Sequence, residues 1–322
     1  ISLVDKITGM EMLASAGNRF CLYKDIPARF DAWDIDSMTE SLQMATNEPV
    51  DLEVVASTPL IGKIKLTRKI HDSTLMQLIS LRRDSRRIDF ETTVDWRERH
   101  KLLKVAFPVN IHANEAIHEI QFGHLKRPNH RSRPFDADRF EVCNQKWSAL
   151  AEENRGVAIL NDSKYGINVL GNSLNLTLLK AALAPDPQAD RGIQKFTYSL
   201  YYWNGSFSDC DVVREAYDLN CPVIVHPGAA GEASIFYLDS PNIVLETVKL
   251  AEDGSNDLIL RLYEAKRNHT PCILSTMLQV IKVTQVDMLE RFQVELSLNE
   301  GKIELDFKPF EIKTIRLTIE KS

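Results

Sequence analysis

The chain has 322 residues, 44% apolar and 26% charged, with 39 basic against 45 acidic side chains and a net charge of −6. That balance excludes a dominant polyanion-binding role, which needs clustered excess cation, and no apolar run approaches the ~18 residues of a membrane-spanning helix. The length suggests roughly two domains, and the opening Ile1-Ser2-Leu3-Val4-Asp5-Lys6 shows no signal peptide and reads as structured sequence cut from a longer polypeptide.

The first dense polar cluster is Asp31-Ala32-Trp33-Asp34-Ile35-Asp36, one indole among three carboxylates. A sugar ring offers an apolar C–H face and a rim of hydroxyls, so Trp33 with Asp34 suits it. The plainer reading is an edge strand with Trp33 packed inward and the carboxylates solvated. Next, Ile64, Leu66 and Ile70 alternate with Lys63, Lys65 and Lys69. Ile88, Phe90, Thr92, Val94 and Trp96 alternate with polar residues, and Leu103, Val105, Phe107 and Val109 do the same. A period of two puts one face in a core and the other in water, which predicts antiparallel sheet. Arg83-Asp84-Ser85 and Arg97-Glu98-Arg99-His100 supply the turns.

His124 and His130 lie in the run Gly123-His124-Leu125-Lys126-Arg127-Pro128-Asn129-His130-Arg131. No neighbouring Cys or carboxylate pattern completes a tetrahedral metal set there, so a polar, Arg-rich loop is the simpler reading. Cys21, Cys143, Cys210, Cys221 and Cys272 are odd in number and widely spaced. They fit neither a zinc ribbon nor a disulfide framework, and predict small buried thiols in a reducing cytoplasm.

Asn161-Asp162-Ser163-Lys164-Tyr165-Gly166 is turn chemistry, from which Lys164 and Tyr165 could project toward a ligand. In Asp186-Pro187-Gln188-Ala189-Asp190-Arg191-Gly192, the planar fork of Arg191 suits sugar hydroxyls or a buried carboxylate. The alternative is a loop with a structural Asp190–Arg191 pair, although loops on rigid scaffolds often carry sites. Ser208 to Leu219 predicts a helix with Val212, Val213, Ala216 and Tyr217 on one face. Ser208 or Asp209 could cap it, and Pro222 lies just beyond.

A boundary falls between Cys221 and Asn242, where His226-Pro227-Gly228-Ala229-Ala230-Gly231 and Asp239-Ser240-Pro241-Asn242 are loop chemistry. The reading is all-β: a large domain over 1–235 and a smaller β domain over 236–322. In the latter, Phe292, Val294, Leu296 and Leu298 alternate, and Asn299-Glu300-Gly301 turns the chain. Ile303, Leu305 and Phe307 follow, then Ile315, Leu317 and Ile319, a strand-and-turn spacing that suggests a sandwich. Among 45 acidic residues no glycosidase carboxylate pair can be chosen by spacing. No phosphate loop, G-x-S-x-G, kinase or dinucleotide fingerprint occurs.

These blocks, taken in order, resemble the C-terminal half of glycoside hydrolase family 38 α-mannosidases, nearest to the cytosolic and bacterial branch. The likeness starts at Ser2-Leu3-Val4-Asp5-Lys6 and runs through the 31–36 cluster, Phe122 to Arg131, Arg139-Phe140-Glu141-Val142 and Gly156 to Gly166. It continues through Asp190-Arg191-Gly192, Phe196 to Leu200, Arg261-Leu262-Tyr263-Glu264-Ala265 and Pro309-Phe310-Glu311-Ile312-Lys313. The resemblance implies a large antiparallel β-sandwich of the supersandwich type followed by a smaller β-sandwich. It also implies a zinc-dependent, retaining, exo-acting enzyme on α-mannosides.

In such enzymes the zinc and both reacting carboxylates belong to an N-terminal catalytic domain, followed by a helical bundle, that this stretch does not include. The resemblance therefore implies no catalytic residue and no metal ligand here, and no activity for this stretch alone. Its role is to pack on those domains and complete the mannose pocket. Arg191 is then the residue expected to reach the cleft, oriented by a charge-assisted bond to Asp190, followed by Trp33 and Asp34, then Lys164 and Tyr165. Gln194 stands where that branch is expected to carry His. Neither nucleic acid nor membrane is an expected partner, and a homo-oligomer stays open. The alternative function is a stand-alone carbohydrate-binding β-sandwich.

Overall fold

The structure, a computed structural model, describes residues 2–228, 231 and 233–320; Ile1, Glu232, Lys321, Ser322 and two residues of the 226–231 loop cluster, Ala229 and Ala230, lie outside the described residues. The chain is all-β, and its contacts divide it into two units. One runs through Glu119 and resumes over Leu125–Val223; the other joins Ile120–His124 to the chain from Ile224 onward.

In the first unit the two-residue alternation builds two antiparallel sheets. A six-stranded sheet runs in the order Val142–Cys143, Gly166–Leu170, Ser173–Lys180, Lys101–Pro108, Arg19–Lys24, Gln43–Met44. A nine-stranded sheet runs Val50–Ser57, Ile61–Ile70, Ser73–Arg82, Arg87–Trp96, Gly192–Asn204, Arg155–Asn161, Trp147–Ala151, Glu115–Ile120, Gly123–Pro128. Their inner faces form one core. Phe20, Leu22, Leu103, Val105 and Phe107 come from the smaller sheet, and Leu75, Phe90, Val94, Trp96 and Tyr198 from the larger. Phe90 meets Phe107 and Tyr198 with ring centroids 5.5 and 5.1 Å apart.

A closed polar ring sits inside this core. Asn18 Nδ2 donates to Gln77 Oε1 (2.7 Å), Gln77 Nε2 donates to Tyr198 Oη (2.8 Å), and Tyr198 Oη donates to Asn18 Oδ1 (2.6 Å). Gln77 Nε2 also donates to Thr92 Oγ1 at 2.8 Å. Burial raises the Tyr198 phenol far above its ordinary value, so the hydroxyl keeps the proton it donates. The ring ties the residue before Arg19–Lys24 to two strands of the opposite sheet. It fixes the register of Gly192–Asn204, where a slip by one residue would turn every side chain to the other face.

Several elements differ from the sequence reading. Leu66 and Ile70 are buried but Ile64 is exposed, because the nine-stranded sheet is wider than the sheet facing it and its edge strands are left uncovered. The helix is Val212–Asn220, starting after Asp211 rather than at Ser208. Ser206 Oγ instead donates to Asp209 Oδ2 at 2.8 Å and holds a turn there. Arg87 secures the helix, donating from Nη1 to Glu215 O and Oε2 (2.8 and 3.0 Å) and from Nε to Asp89 Oδ1 (2.8 Å). Two short helical turns, Ser37–Leu42 and Pro134–Asp138, have too few residues to show a 3.6-residue period.

The second unit packs the sheet Phe236–Leu238, Thr270–Thr276, Lys302–Phe307 on the sheet Ile243–Leu250, Leu258–Glu264, Ile312–Ile319, Val280–Val286, Phe292–Leu296. Leu260, Leu262, Leu274, Ile303, Phe307, Ile315 and Leu317 fill its core. Phe292 and Val294, expected on a core face, are exposed because their strand is the sheet edge.

Replacing Tyr198 by Phe keeps the apolar volume but leaves the buried Gln77 and the half-buried Asn18 with a bond each unmade. The expected cost is about 1–3 kcal/mol, read as a lower urea midpoint at unchanged slope. An unchanged midpoint contradicts a structural role for the ring.

Candidate functional site

In the smaller sheet Lys24 lies opposite Lys101 and Leu102 opposite Lys180; in the larger, Trp96 lies opposite Gly192. Only residues 97–100 separate Trp96 from Lys101, so the loops 25–36, 97–100 and 181–191 all leave the first unit at one end. His100 N donates to Ala181 O (2.7 Å), and Asp25 N donates to His100 O (2.8 Å).

Asp31 joins two of these loops by charge. Its Oδ2 accepts from Leu183 N (2.7 Å), Ala184 N (3.1 Å) and His100 Nε2 (3.2 Å). Burial penalises this charge, but the two amides and the imidazole outweigh it and hold the carboxyl below its ordinary range. Asp25 is buried and accepts from Lys180 Nζ. Burial raises the Asp25 carboxyl, and Lys180 only partly offsets this. Lys180 N donates to Asp190 Oδ2 at 2.8 Å, which places the Asp190 turn.

The turn itself is left-handed at Asp190 (φ 59°), a conformation that costs a non-glycine residue, and Gly192 follows at φ 103°. Between them Arg191 projects from the strand start. The expected Arg191–Asp190 bond is not formed; Asp190 Oδ2 accepts from the Lys180 amide. Arg191 Nη1 donates instead to Gln188 Oε1 at 3.0 Å, and its Nε is buried with no partner among the described residues. Gln194 Nε2 donates to Asp190 O at 3.2 Å and so supports the same turn.

The 161–166 cluster is a turn closed by Lys164 N donating to Asn161 Oδ1 (2.7 Å), and Thr197 N donates to Asp162 Oδ2 (2.8 Å). Lys164 lies half-buried with its Nζ 4.6 Å from the Phe196 ring centroid. Burial lowers the Lys164 ammonium, opposed by the fields of Asp190 and Asp162, so Lys164 and Asp190 share one electrostatic neighbourhood. Tyr165 points to solvent.

Trp33 is neither in an edge strand nor packed inward. It stands 75% exposed on the 31–36 turn, Phe30 beside it is 67% exposed, and Asp34 Oδ1 accepts only from Ile35 N at 2.9 Å. The structure thus gathers Lys164, Asp190 and Arg191, and tethers the Trp33–Asp34 turn through Asp31. Asp25, Lys180 and Asp31 were missed as a group, since positions 25 and 180 are linked only by the fold.

Among the described residues no three His, Cys, Asp or Glu side chains form a group able to hold a metal ion. His124 is occupied by Phe310 (centroids 4.9 Å apart, edge-on) and the Ala265 carbonyl at 3.3 Å, and His130 is exposed. The residues present do not fit a zinc site. All five cysteines are free, and no described helix is long and apolar enough to cross a membrane.

The family model "Glycosyl hydrolases family 38 C-terminal domain" matches residues 1–188, and "Glycosyl hydrolases family 38 C-terminal beta sandwich domain" matches residues 242–315. Alpha-mannosidase 2C1 of Homo sapiens is 39% identical over 331 residues, covering 99% of this chain and 32% of that protein. Alpha-mannosidase of Saccharomyces cerevisiae is 30% identical over 357 residues, covering 98% of this chain and 33% of that protein. The chain therefore spans about a third of the length of these relatives. An alpha-mannosidase from Enterococcus faecalis V583 has the same fold, with a TM-score of 0.80 over 98% of this chain and 40% of that one, at 17% identity.

Replacing Asp31 by Ala releases the two amides it holds, at about 1–3 kcal/mol of local stability for the charge-assisted bonds. Amide exchange at Leu183 and Ala184 is expected to quicken accordingly. Because the folded carboxyl titrates below its ordinary value, wild-type protection is full above that value and falls as pH drops through the lowered one. Equal exchange in wild type and variant contradicts the tether.

Proposed function

The chain belongs to glycoside hydrolase family 38, and on that premise we propose that it is the C-terminal, non-catalytic part of a zinc-dependent, retaining exo-α-mannosidase. Its first unit completes the mannose pocket. On this reading the metal and both reacting carboxylates belong to the portion of the parent that lies outside this chain.

Arg191 carries the reading. It is held at the strand start by a strained turn, bonded to Gln188, and keeps a buried Nε without a partner among the described residues. A guanidinium fixed this way offers its remaining donors to sugar hydroxyls in a set orientation. Lys164 and Asp190 supply the neighbouring polar wall, and the exposed Trp33 offers an apolar face to a second ring at the rim. Asp25 Oδ1, Asp31 Oδ1 and Trp96 Nε1 are also buried at this end without partners among the described residues. Such groups are costly to leave unpaired, which favours an end that meets another surface. Five free thiols suit a reducing, cytoplasmic home.

Two outcomes follow. The isolated chain is expected to hydrolyse no aryl α-mannoside with zinc present, whereas the full-length protein does; turnover by the chain alone overturns the assignment of the chemistry to the remainder. In the full-length protein, Arg191→Ala is expected to lower kcat/KM by roughly 5- to 150-fold, corresponding to about 1–3 kcal/mol of transition-state stabilisation. Unchanged kinetics leave this end a scaffold without substrate contact.

A further inference from the structure

The outer face of the six-stranded sheet carries a second concavity, beneath the segment 35–40. Phe20 and Leu22 point into the core, so period-two geometry turns Arg19 and Tyr23 outward. By the same alternation Leu102 and Lys104 face outward from the next strand, and Asn168 and Asn175 from the two beyond it. The segment 35–40 and residues Phe140 and Glu141 close over this face and leave a cavity of about 240 Å³. That is smaller than a drug-sized pocket and suits a one-ring ligand.

Its polar floor is built in advance. Asn175 Nδ2 donates to Asn168 Oδ1 (3.0 Å), Ser173 Oγ donates to Asn175 Oδ1 (2.8 Å), and Asn168 Nδ2 donates to the Phe140 carbonyl. Lys104, itself buried, donates to Glu141, whose other oxygen accepts from Thr177 Oγ1 at 2.5 Å. Glu40 at the rim is gripped by Arg131 through two bonds of 2.8 and 2.6 Å. Arg19 is exposed, and its guanidinium has no hydrogen bond or ion pair among the described residues. Burial, aided by the neighbouring Cys21, raises the Tyr23 phenol and keeps it protonated.

The charged lining residues are two cations, Arg19 and Lys104, and two carboxylates, Glu40 and Glu141, so the cavity has no net charge. That disfavours a phosphate or a carboxylate ligand. Amides, carboxylates and a free guanidinium are hydroxyl-binding groups, while the side chains of Tyr23, Phe140, Leu102 and Leu170 supply apolar walls for C–H faces. We propose that this cavity is a second saccharide site, taking one neutral hexose ring, on the outer face of the six-stranded sheet, with a lining that shares no residue with the Arg191 turn. The inference goes beyond the mannosidase reading, since it rests on the lining of this cavity and not on any reaction.

The test is a titration of the full-length protein with methyl α-mannoside and methyl β-glucoside, followed by saturation-transfer NMR, in an Arg191→Ala background so that the loop end contributes least. Inorganic phosphate and acetate serve as charged controls. A neutral hexoside is expected to bind, and to lose at least ~10-fold in affinity in Arg19→Ala, which removes the free donor, and in Leu170→Trp, which fills the exposed mouth. Both variants are expected to keep the wild-type melting temperature and, with Arg191 intact, the wild-type hydrolysis rate. Failure of every hexoside to bind, binding indifferent to Leu170→Trp, or preference for phosphate or acetate each overturns the site. Loss of hydrolysis in the unmodified full-length protein with hexoside binding retained sinks the mannosidase reading alone.

Discussion

The hydrogen-bonded ring of Asn18, Gln77 and Tyr198 is the constraint on which the first unit depends. It joins the two sheets inside the core by directional bonds, where apolar contact alone tolerates sliding. Tyr198 lies six residues beyond Gly192 on the long strand Gly192–Asn204. Fixing Tyr198 against Gln77 therefore fixes where that strand begins, and with it the Asp190–Arg191–Gly192 turn. The left-handed Asp190 is affordable because Lys180, Gln194 and this register all hold it.

From that anchored strand start the charges at the loop end fall into order. Lys180 serves twice, its ammonium on Asp25 and its amide on Asp190. Asp31 spends its carboxylate on two amides and an imidazole across the gap between loops. Left without a partner among the described residues are the Nε of Arg191, the Nε1 of Trp96 and one oxygen each on Asp25 and Asp31. This is an end with donors and acceptors prepared, which is what the proposed role as one wall of a site asks of it. The cavity over the outer face of the smaller sheet has the opposite character, a closed amide network with balanced charge.

The fold was legible because it depends on period-two alternation, and the runs 88–96 and 103–109 carry that signal without interruption. It failed at Ile64, Phe292 and Val294, where alternation is intact but nothing covers the strand: a sequence shows which face is apolar, and the width of the opposing sheet decides whether that face is buried. The helix start slipped because Asp209, a cap-type residue, here closes a turn with Ser206. At the candidate site, Arg191, Lys164 and Trp33 stood out by residue type. The Asp190–Arg191 pair was inferred from adjacency, whereas Asp190 accepts from the Lys180 amide and Arg191 donates to Gln188. Asp25 and Lys180 lie 155 positions apart, and no local pattern joins them. The second cavity was hidden for the same reason: its lining comes from four strands and two covering segments.

The central claim is that this chain lends a guanidinium to a mannose pocket whose reacting groups lie beyond it. A crystal structure of the full-length protein with a mannoside bound tests this most directly. The account predicts Arg191 within about 3.5 Å of a sugar hydroxyl, with the metal ligands and both reacting carboxylates supplied by residues outside this chain. A mannoside whose anomeric carbon is flanked by carboxylates of this chain, or one bound with Arg191 turned away from it, contradicts the account.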